Sequence, residues 1–347
     1  MNDPTFSLIC PVDLQIEERI QLAHGSGGKL TANLIETIFK PAFSNEWLAQ
    51  DHDSASISWN KNNMAVTTDA YVVNPLFFPG GDIGKLAIYG TCNDLAMAGA
   101  KPLFLTVSFI IEEGLLINEL REVVNSMASA AKIAEVAIVA GDTKVVERGK
   151  ADKLYLSCTG IGEQLHSPII SPKNIDIGDT VIISGDIGRH GVAVLTQRDG
   201  LTLETAIESD CAPLWPLVNY LLERNVSIRC IRDLTRGGLA TALNELAVSA
   251  QVKIAILQNS IPVIEPVRAV TELFGLDPLY IANEGCCIFI IPENESENAL
   301  ALMHSFGFPL AKIIGSVIAG CGVTIKNAYG VERVLDRLIG DPLPRIC

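Results

Sequence analysis

The sequence contains no C-x-x-C pair, no basic cluster and no long apolar run, and each absence removes a class of function. Its nine cysteines (Cys10, Cys92, Cys158, Cys211, Cys230, Cys286, Cys287, Cys321 and Cys347) are odd in number and scattered. Neither a disulfide framework nor a zinc site fits that spacing. Most are expected to be small buried hydrophobes in a reducing cytoplasm; only Cys347 escapes that reading. Basic residues number 26 against 40 acidic, a formal net charge of -14. Such a surface repels nucleic acid and anionic lipid. An anionic substrate such as ATP would need a divalent cation as intermediary. No stretch approaches the ~20 apolar residues that cross a bilayer. The opening MNDPTFSLICPVDLQIEERI has no basic region followed by an apolar one, so no export signal is expected. Aromatics are sparse at 6%, while the hydrophobic fraction of 48% rests on small aliphatic residues, as in an ordinary globular protein. At 347 residues there is room for two domains.

What is present is an alternation of strand and helix patterns. Residues 62–73 are β-branched and alternating and predict a strand. Residues 82–99 carry apolar residues at helical spacing, with Asp82 as N-cap after a Gly-Gly pair. A strand over 102–111, a helix over 117–134 and strands over 135–146 and 153–162 follow, an α+β half with its helices on one face of a sheet. The polar stretch 163–178 is the expected boundary. Beyond it lie a strand at 179–184, helices near 188–198 and 212–224, and a helix opening after Gly237-Gly238. Strands are expected near 252–257, 285–291 and 312–326. The division is therefore 1–162, 163–340 and a tail, 341–347. Two prolines and no helical period make that tail extended and mobile, holding the Cys347 thiol clear of the globule. From Gly340 such an arm reaches about 23–25 Å.

Five acidic positions sit in turns or at helix ends: Asp53, Asp69, Asp82, Asp94 and Asp142. Asn93 and Asp94 interrupt a good helix with two weak helix formers, so something other than helix stability holds them there. Carboxylates converging from several segments would suit Mg²⁺ bridging ATP oxygens; the alternative is that each is a cap or turn residue. His24-Gly25-Ser26-Gly27-Gly28-Lys29 is a glycine-rich loop able to cradle phosphate, with Lys29 to neutralise it, but it is not a Walker A loop. Asp233 opens a second turn, DLTRGG, ahead of a helix. Glu284 precedes an apolar strand, where a partly buried carboxyl with a raised pKa can act as a base, or where a surface turn residue would sit.

Taken in order, HGSGGK, TTDAYVV, FPGGDIGKLAIYGTCNDLAMAGAKP, AGDTKVV, GDTVIISGDIGRHG, RDLTRGGLA, ANEG and the final PRIC resemble the HypE family within the AIR synthetase (PurM-like) superfamily. Arg189 and Leu234 depart from that pattern, standing where an acidic residue and a proline are expected. The resemblance implies a two-domain α+β fold, with an N-terminal α/β domain that pairs into a homodimer and a C-terminal α/β domain. ATP with Mg²⁺ is expected between the domains. The resemblance assigns metal binding to Asp53, Asp69, Asp94 and Asp233, and nucleotide binding to Lys29, Asp69, Asn93, Asp94, Asp142, Thr143 and Asp233. The reaction it implies is ATP-dependent dehydration of a carbamoyl group on Cys347 to a thiocyanate, with Glu284 as the candidate base. The product would supply cyanide ligands for [NiFe] hydrogenase. Implied partners are HypF, which donates the carbamoyl group, and a HypC–HypD complex, which accepts cyanide. A selenophosphate-synthetase-like phosphotransferase is the rival enzyme, but the glycine-rich loop lacks the reactive Cys it would need. A non-catalytic scaffold read through its C-terminal peptide is the rival of another class.

Overall fold

Among the described residues, the two helices of the first half lie on one face of its sheet, as the alternation predicts. A computed structural model describes residues 62–165, 168–200, 207–340, 343 and 345–347, with the strand at 55–59 and positions 28, 29, 32 and 36. The first sheet holds β1 (Ala55–Trp59), β2 (Asn62–Tyr71), β5 (Ala100–Glu112), β6 (Ala137–Val146) and β7 (Leu154–Gln164), in the order β1-β2-β7-β5-β6. A small hairpin, β3 (Phe77–Phe78) and β4 (Gly81–Asp82), precedes helix α1 (Ile83–Met97). Only β5 and β6 run parallel, and helix α2 (Ile117–Ile133) makes the crossover that a parallel pair requires. Asp82 caps α1 as expected: its Oδ1 accepts from Gly84 N at 2.8 Å and Lys85 N at 3.1 Å, and Ser126 Oγ donates to Oδ2.

Helix α1 is buried along its whole circumference, the signature of a helix inside a core. Lys85 and Asp94 alone among its residues are not buried. One side of the helix packs on Leu105 and Leu156 of the sheet, and the other meets the second domain. That second sheet has the order β14-β13-β10-β12-β8-β11-β9. Its strands are β8 (Thr180–Ile183), β9 (Cys230–Asp233), β10 (Lys253–Leu257), β11 (Cys287–Ile291), β12 (Lys312–Ile318), β13 (Gly322–Lys326) and β14 (Glu332–Val334). The helices are α3 (Arg189–Arg198), α4 (Trp215–Glu223), α5 (Gly238–Ala250), α6 (Glu265–Phe274) and α7 (Glu293–Phe306). Helices α4 and α7 cover one face through Leu217, Leu221 and Met303 against Phe289 and Ile291, and α5 covers the other through Leu239 and Leu243 against Ile288 and Ile290. Strand β11, covered on both faces, reads as an unbroken apolar run rather than an alternation.

The single strand expected over 312–326 is two strands. The turn Ala319-Gly320-Cys321-Gly322 has both glycines at positive φ, and β10 pairs antiparallel with β12 but parallel with β13. Helices α6 and α7 went unseen in the sequence because each opens on a polar, proline-preceded or proline-containing turn that reads as a loop. Helices α3 and α6 do not pack on their own sheet alone. Val192, Leu195, Val267 and Ile281 join Tyr71, Val73 and Leu76 of the first domain in one apolar cluster, so the seam between domains is itself core.

Candidate active site

The seam opens into a cavity of about 170 Å³ lined by both domains. Asp69, Tyr71, Gly90 and Asp94 come from the first; Asp233, Thr235, Arg236 and Glu284 come from the second; Cys347 closes the wall. Asp69 and Tyr71 project from β2 on the face that carries α1. Asp94 is the side chain of α1 turned out of the core, and Thr67 Oγ1 donates to its Oδ2 at 2.7 Å. Asp233 ends β9, and Arg236 stands in the turn that leads to α5. A Cβ at Gly90 would lie 2.5 Å from the Tyr71 hydroxyl, so only glycine lets that ring reach Thr91 Oγ1, at 3.0 Å, and border the cavity.

Acidic groups crowd this space. Glu284 is only 4% exposed, and its Oε1 has no hydrogen-bond partner. Burial pushes the Glu284 carboxyl well above the ordinary range, and Asp210, Asp233 and Asp69 push it further. Burial also raises Asp233 to about 6, with Arg232 opposing and Asp69 adding. Asp69 is raised by burial while Arg236 pulls it down. Asp210 lies behind Glu284, accepts from the Glu284 and Gly285 amides at 3.1 Å each, and is raised to about 6 by burial. Such mutual repulsion is what a cation relieves. Arg236 supplies positive charge among the lining residues and was missed as a site residue, although its turn was noticed in the sequence. Placement between four carboxyl groups is a property of the fold that its own motif does not carry.

The tail contradicts its expected mobility. Leu343 and Ile346 are buried, at 5% and 3% exposure, in the apolar seam. Val72 N donates to the Cys347 backbone oxygen at 3.3 Å, and Asn74 N to the Arg345 oxygen at 3.2 Å. Arg345 pairs with Asp152 of the first domain. Cys347 is therefore not held clear of the globule but lines the same cavity as Asp69, Asp94 and Glu284, because two apolar side chains and the strap's carbonyls find partners across both domains.

Not every expected site residue joins this cavity. Asn93 is fully committed as a tie between domains: its amide donates to Ala212 O at 3.0 Å and Glu284 O at 3.2 Å and accepts from Leu214 N at 2.7 Å. Both amide hydrogens are spent, and Asn93 is buried and does not line the cavity, so the cofactor-binding role is corrected to a structural one that also fixes the Glu284 backbone. Asp142 and Thr143 lie on the edge strand β6, where Asp142 is exposed and paired with Lys144 at 3.0 Å. Asp142 stands opposite Ser108, on the open face of the sheet, whereas Asp69 stands opposite Cys158 on the helix-covered face. Opposite faces cannot converge within one chain. Lys29 pairs with Asp336 at 2.9 Å and does not line the cavity. Asp53 and the loop from His24 to Gly27 lie outside the described residues. Arg189, where an acidic residue is expected, forms an ion pair with Asp186 at 2.8 Å. Among the described residues no three His, Cys, Asp or Glu side chains already form a metal cluster, and no helix is long and apolar enough to cross a membrane.

Comparison with known proteins agrees with this architecture. Residues 51–164 match the family model for the N-terminal domain of AIR synthase related proteins, and residues 176–326 match that for the C-terminal domain. The chain is 47% identical over 335 residues to the carbamoyl dehydratase HypE of Cupriavidus necator, covering 95% of each. Among solved structures it is similar to a HypE–HypF complex, with a TM-score of 0.84 and 46% identity over 88% of this chain and 99% of that one. A hydrogenase maturation protein HypE in complex with ATP gives a TM-score of 0.80 and 44% identity over 94% of this chain and 99% of that one.

Proposed function

We propose, from the premise that this chain belongs to the HypE family of carbamoyl dehydratases, that it dehydrates a carbamoyl group carried on Cys347 at the expense of ATP. It serves the maturation of [NiFe] hydrogenase. The observation that carries the residue assignment is the seat of Cys347 in an acidic cavity between the domains, beside a buried carboxyl with an unpartnered oxygen.

The chemistry follows from what a thiocarbamate lacks. Its oxygen cannot leave as oxide. Attack of that oxygen on the γ-phosphorus of ATP expels ADP and turns it into a phosphate ester, which can depart. As phosphate leaves, the nitrogen gives up its protons and C≡N forms on sulfur. Atoms balance as S–CO–NH2 and ATP going to S–C≡N, ADP, phosphate and a proton. Glu284 is the group we assign to take a proton: buried and raised, its carboxylate is a stronger base than one in water. At about 170 Å³ the cavity is smaller than the ~300–1,000 Å³ of whole-ligand pockets. It suits the reacting end alone, with Arg236 facing the transferred phosphoryl group and the rest of the nucleotide outside.

Asp69, Asp94 and Asp233 fit Mg²⁺. They are hard oxygen donors that line one cavity, burial raises Asp69 and Asp233 even with Arg236 and Arg232 nearby, and Mg²⁺ needs only one or two carboxylates when phosphate oxygens and water complete its shell. When bound it would neutralise charge across the transferred phosphoryl group. Asp53 completes the assigned set from outside the described residues. HypF as carbamoyl donor and a HypC–HypD complex as cyanide acceptor follow from the same reading. So does a homodimer through the first domain, supported by Phe104, Ile110, Ile138, Val139 and Val145, large apolar side chains left exposed around β5 and β6. Such pairing would cover the face that carries Asp142. We take 1–162 and 163–340 as the two domains.

Incubation with HypF, carbamoyl phosphate and Mg-ATP should place one carbamoyl group on Cys347 and then remove one water from it. Peptide mass spectrometry that found the adduct on another cysteine, with Cys347 unmodified, would overturn the assignment.

A further inference from the structure

The strap that carries Cys347 ends in a strained turn. Arg345 has φ +62°, a left-handed conformation that costs a non-glycine residue about 1 kcal/mol or more. Neither burial of Ile346 nor the ion pair to Asp152 fixes which way the last two peptide groups face. Two side chains of helix α3 do. His190 is fully buried, with Nε2 2.5 Å from the Ile346 carbonyl oxygen and Nδ1 2.8 Å from Ser209 Oγ. A carbonyl only accepts, so Nε2 carries the proton; Nδ1 then accepts from the serine hydroxyl, whose oxygen in turn accepts from Cys211 N at 3.1 Å. Both ring nitrogens are thereby assigned. About two helical turns further on, Arg198 donates through Nη2 to the Arg345 oxygen at 2.7 Å and through Nε to the Asn74 oxygen at 2.9 Å. At Gly191 a Cβ would lie 2.4 Å from Ile281, so glycine is what lets α3 pack against the Ile281 segment, with Leu343 and Ile346 of the strap on the same side of the helix.

We infer that His190, with Arg198, is a latch that positions the strap for dehydration, reading its backbone carbonyls and so holding the Cys347 thiol against the carboxylates of the cavity. His190 is a positioning residue: it touches neither sulfur nor nucleotide and acts through the Ile346 peptide group. The latch reads backbone, so it is indifferent to what is bonded to sulfur and holds thiol, thiocarbamate and thiocyanate alike. This rests on the dehydratase reading for its purpose, though not for its geometry.

The test is iodoacetamide alkylation of the full-length protein, followed by peptide mass spectrometry, beside single-turnover conversion of carbamoyl to cyano. His190→Leu leaves a buried carbonyl without its donor, and should raise Cys347 alkylation roughly tenfold (about 1.4 kcal/mol). Cys92 and Cys211 should stay unreactive, and conversion should fall, by a smaller factor because the docked fraction changes less than the undocked one, with Mg-ATP affinity unchanged. His190→Gln, whose side-chain amide can replace the Nε2 donor, should restore both to within about twofold. Arg198→Met carries the same expectation and stands in if His190→Leu does not fold. Alkylation at the parent rate in the folded variants, or His190→Gln as reactive as His190→Leu, overturns the inference. The alkylation arm needs neither ATP nor carbamoyl donor, so it decides the latch even if the parent protein shows no dehydration.

Discussion

Truncating Ile346 should undock the strap without disturbing the rest of the fold. Docking orders Leu343, Arg345, Ile346 and Cys347, at about 1–2 kcal/mol each for the backbone. Against this stand two buried aliphatic side chains, together about 4–5 kcal/mol. Four hydrogen bonds to Val72, Asn74, Arg198 and His190 add about 4 kcal/mol. The terms nearly cancel, leaving a strap that is docked by a small margin, which is what a carrier that must also leave requires. Ile346→Ala should remove about 2 kcal/mol, the lower end for a buried aliphatic, because the side chain sits near the end of the chain where its surroundings can relax. That shifts the docked-to-undocked ratio roughly 30-fold. The assay is amide hydrogen exchange. The Val72 and Asn74 amides donate to strap oxygens, so both should exchange roughly 30-fold faster in the variant, while amides paired between β2 and β7 keep their protection. Unchanged exchange at both amides would refute the marginal balance and leave the strap a fixed part of the core.

Asp94→Ala should weaken Mg-ATP binding by more than ~10-fold in calorimetry, whereas Cys321→Ser, on an exposed turn, should leave it unchanged. Glu284→Gln should accept a carbamoyl group on Cys347 yet convert it ~10²–10⁴-fold more slowly. The same substitution has a predictable sign in stability. Glu284 has a folded pKa above its unfolded one, so the parent is most stable below the ordinary carboxylate range and loses stability as pH rises toward the raised value. Urea denaturation should therefore find the glutamine variant gaining on the parent between pH 5 and pH 8.

Local signals were legible in the sequence. The Asp82 cap, the period of α1 and the β-branched run of β2 all depend on neighbours within a few residues, and the elements formed where the pattern set them. Asn93 and Asp94 show where that legibility ends. Both are unfavourable in a helix for the same local reason, and sequence could say only that something else holds them. One residue is about 100° of helical rotation. That rotation turns Asp94 into the cavity and Asn93 into the seam, where carbonyls of Ala212 and Glu284 await it. No local pattern distinguishes the two, since the distinction lies in chain more than a hundred residues away. Face explains Asp142 in the same way. Its motif resembles that of a ligand, but register against Ser108 turns it from the helix-covered side, and only a second chain against that face could bring it to a site.

The tail is the opposite case, a signal that was present and outweighed. Two prolines and the lack of period argued for mobility, yet Leu343 and Ile346 are apolar side chains that a freely solvated arm has no use for. Prolines restrict the unfolded strap as well, lowering the entropy lost on docking. The features that suggested a mobile arm are therefore also those that make a marginal dock possible. A margin of this size predicts two populations of one strap, docked and free, separated by the few kcal/mol that Ile346, His190 and Arg198 contribute. On the proposed mechanism a carbamoyl group on Cys347 would reach Glu284 only in the docked population, so the fraction docked would multiply the dehydration rate directly.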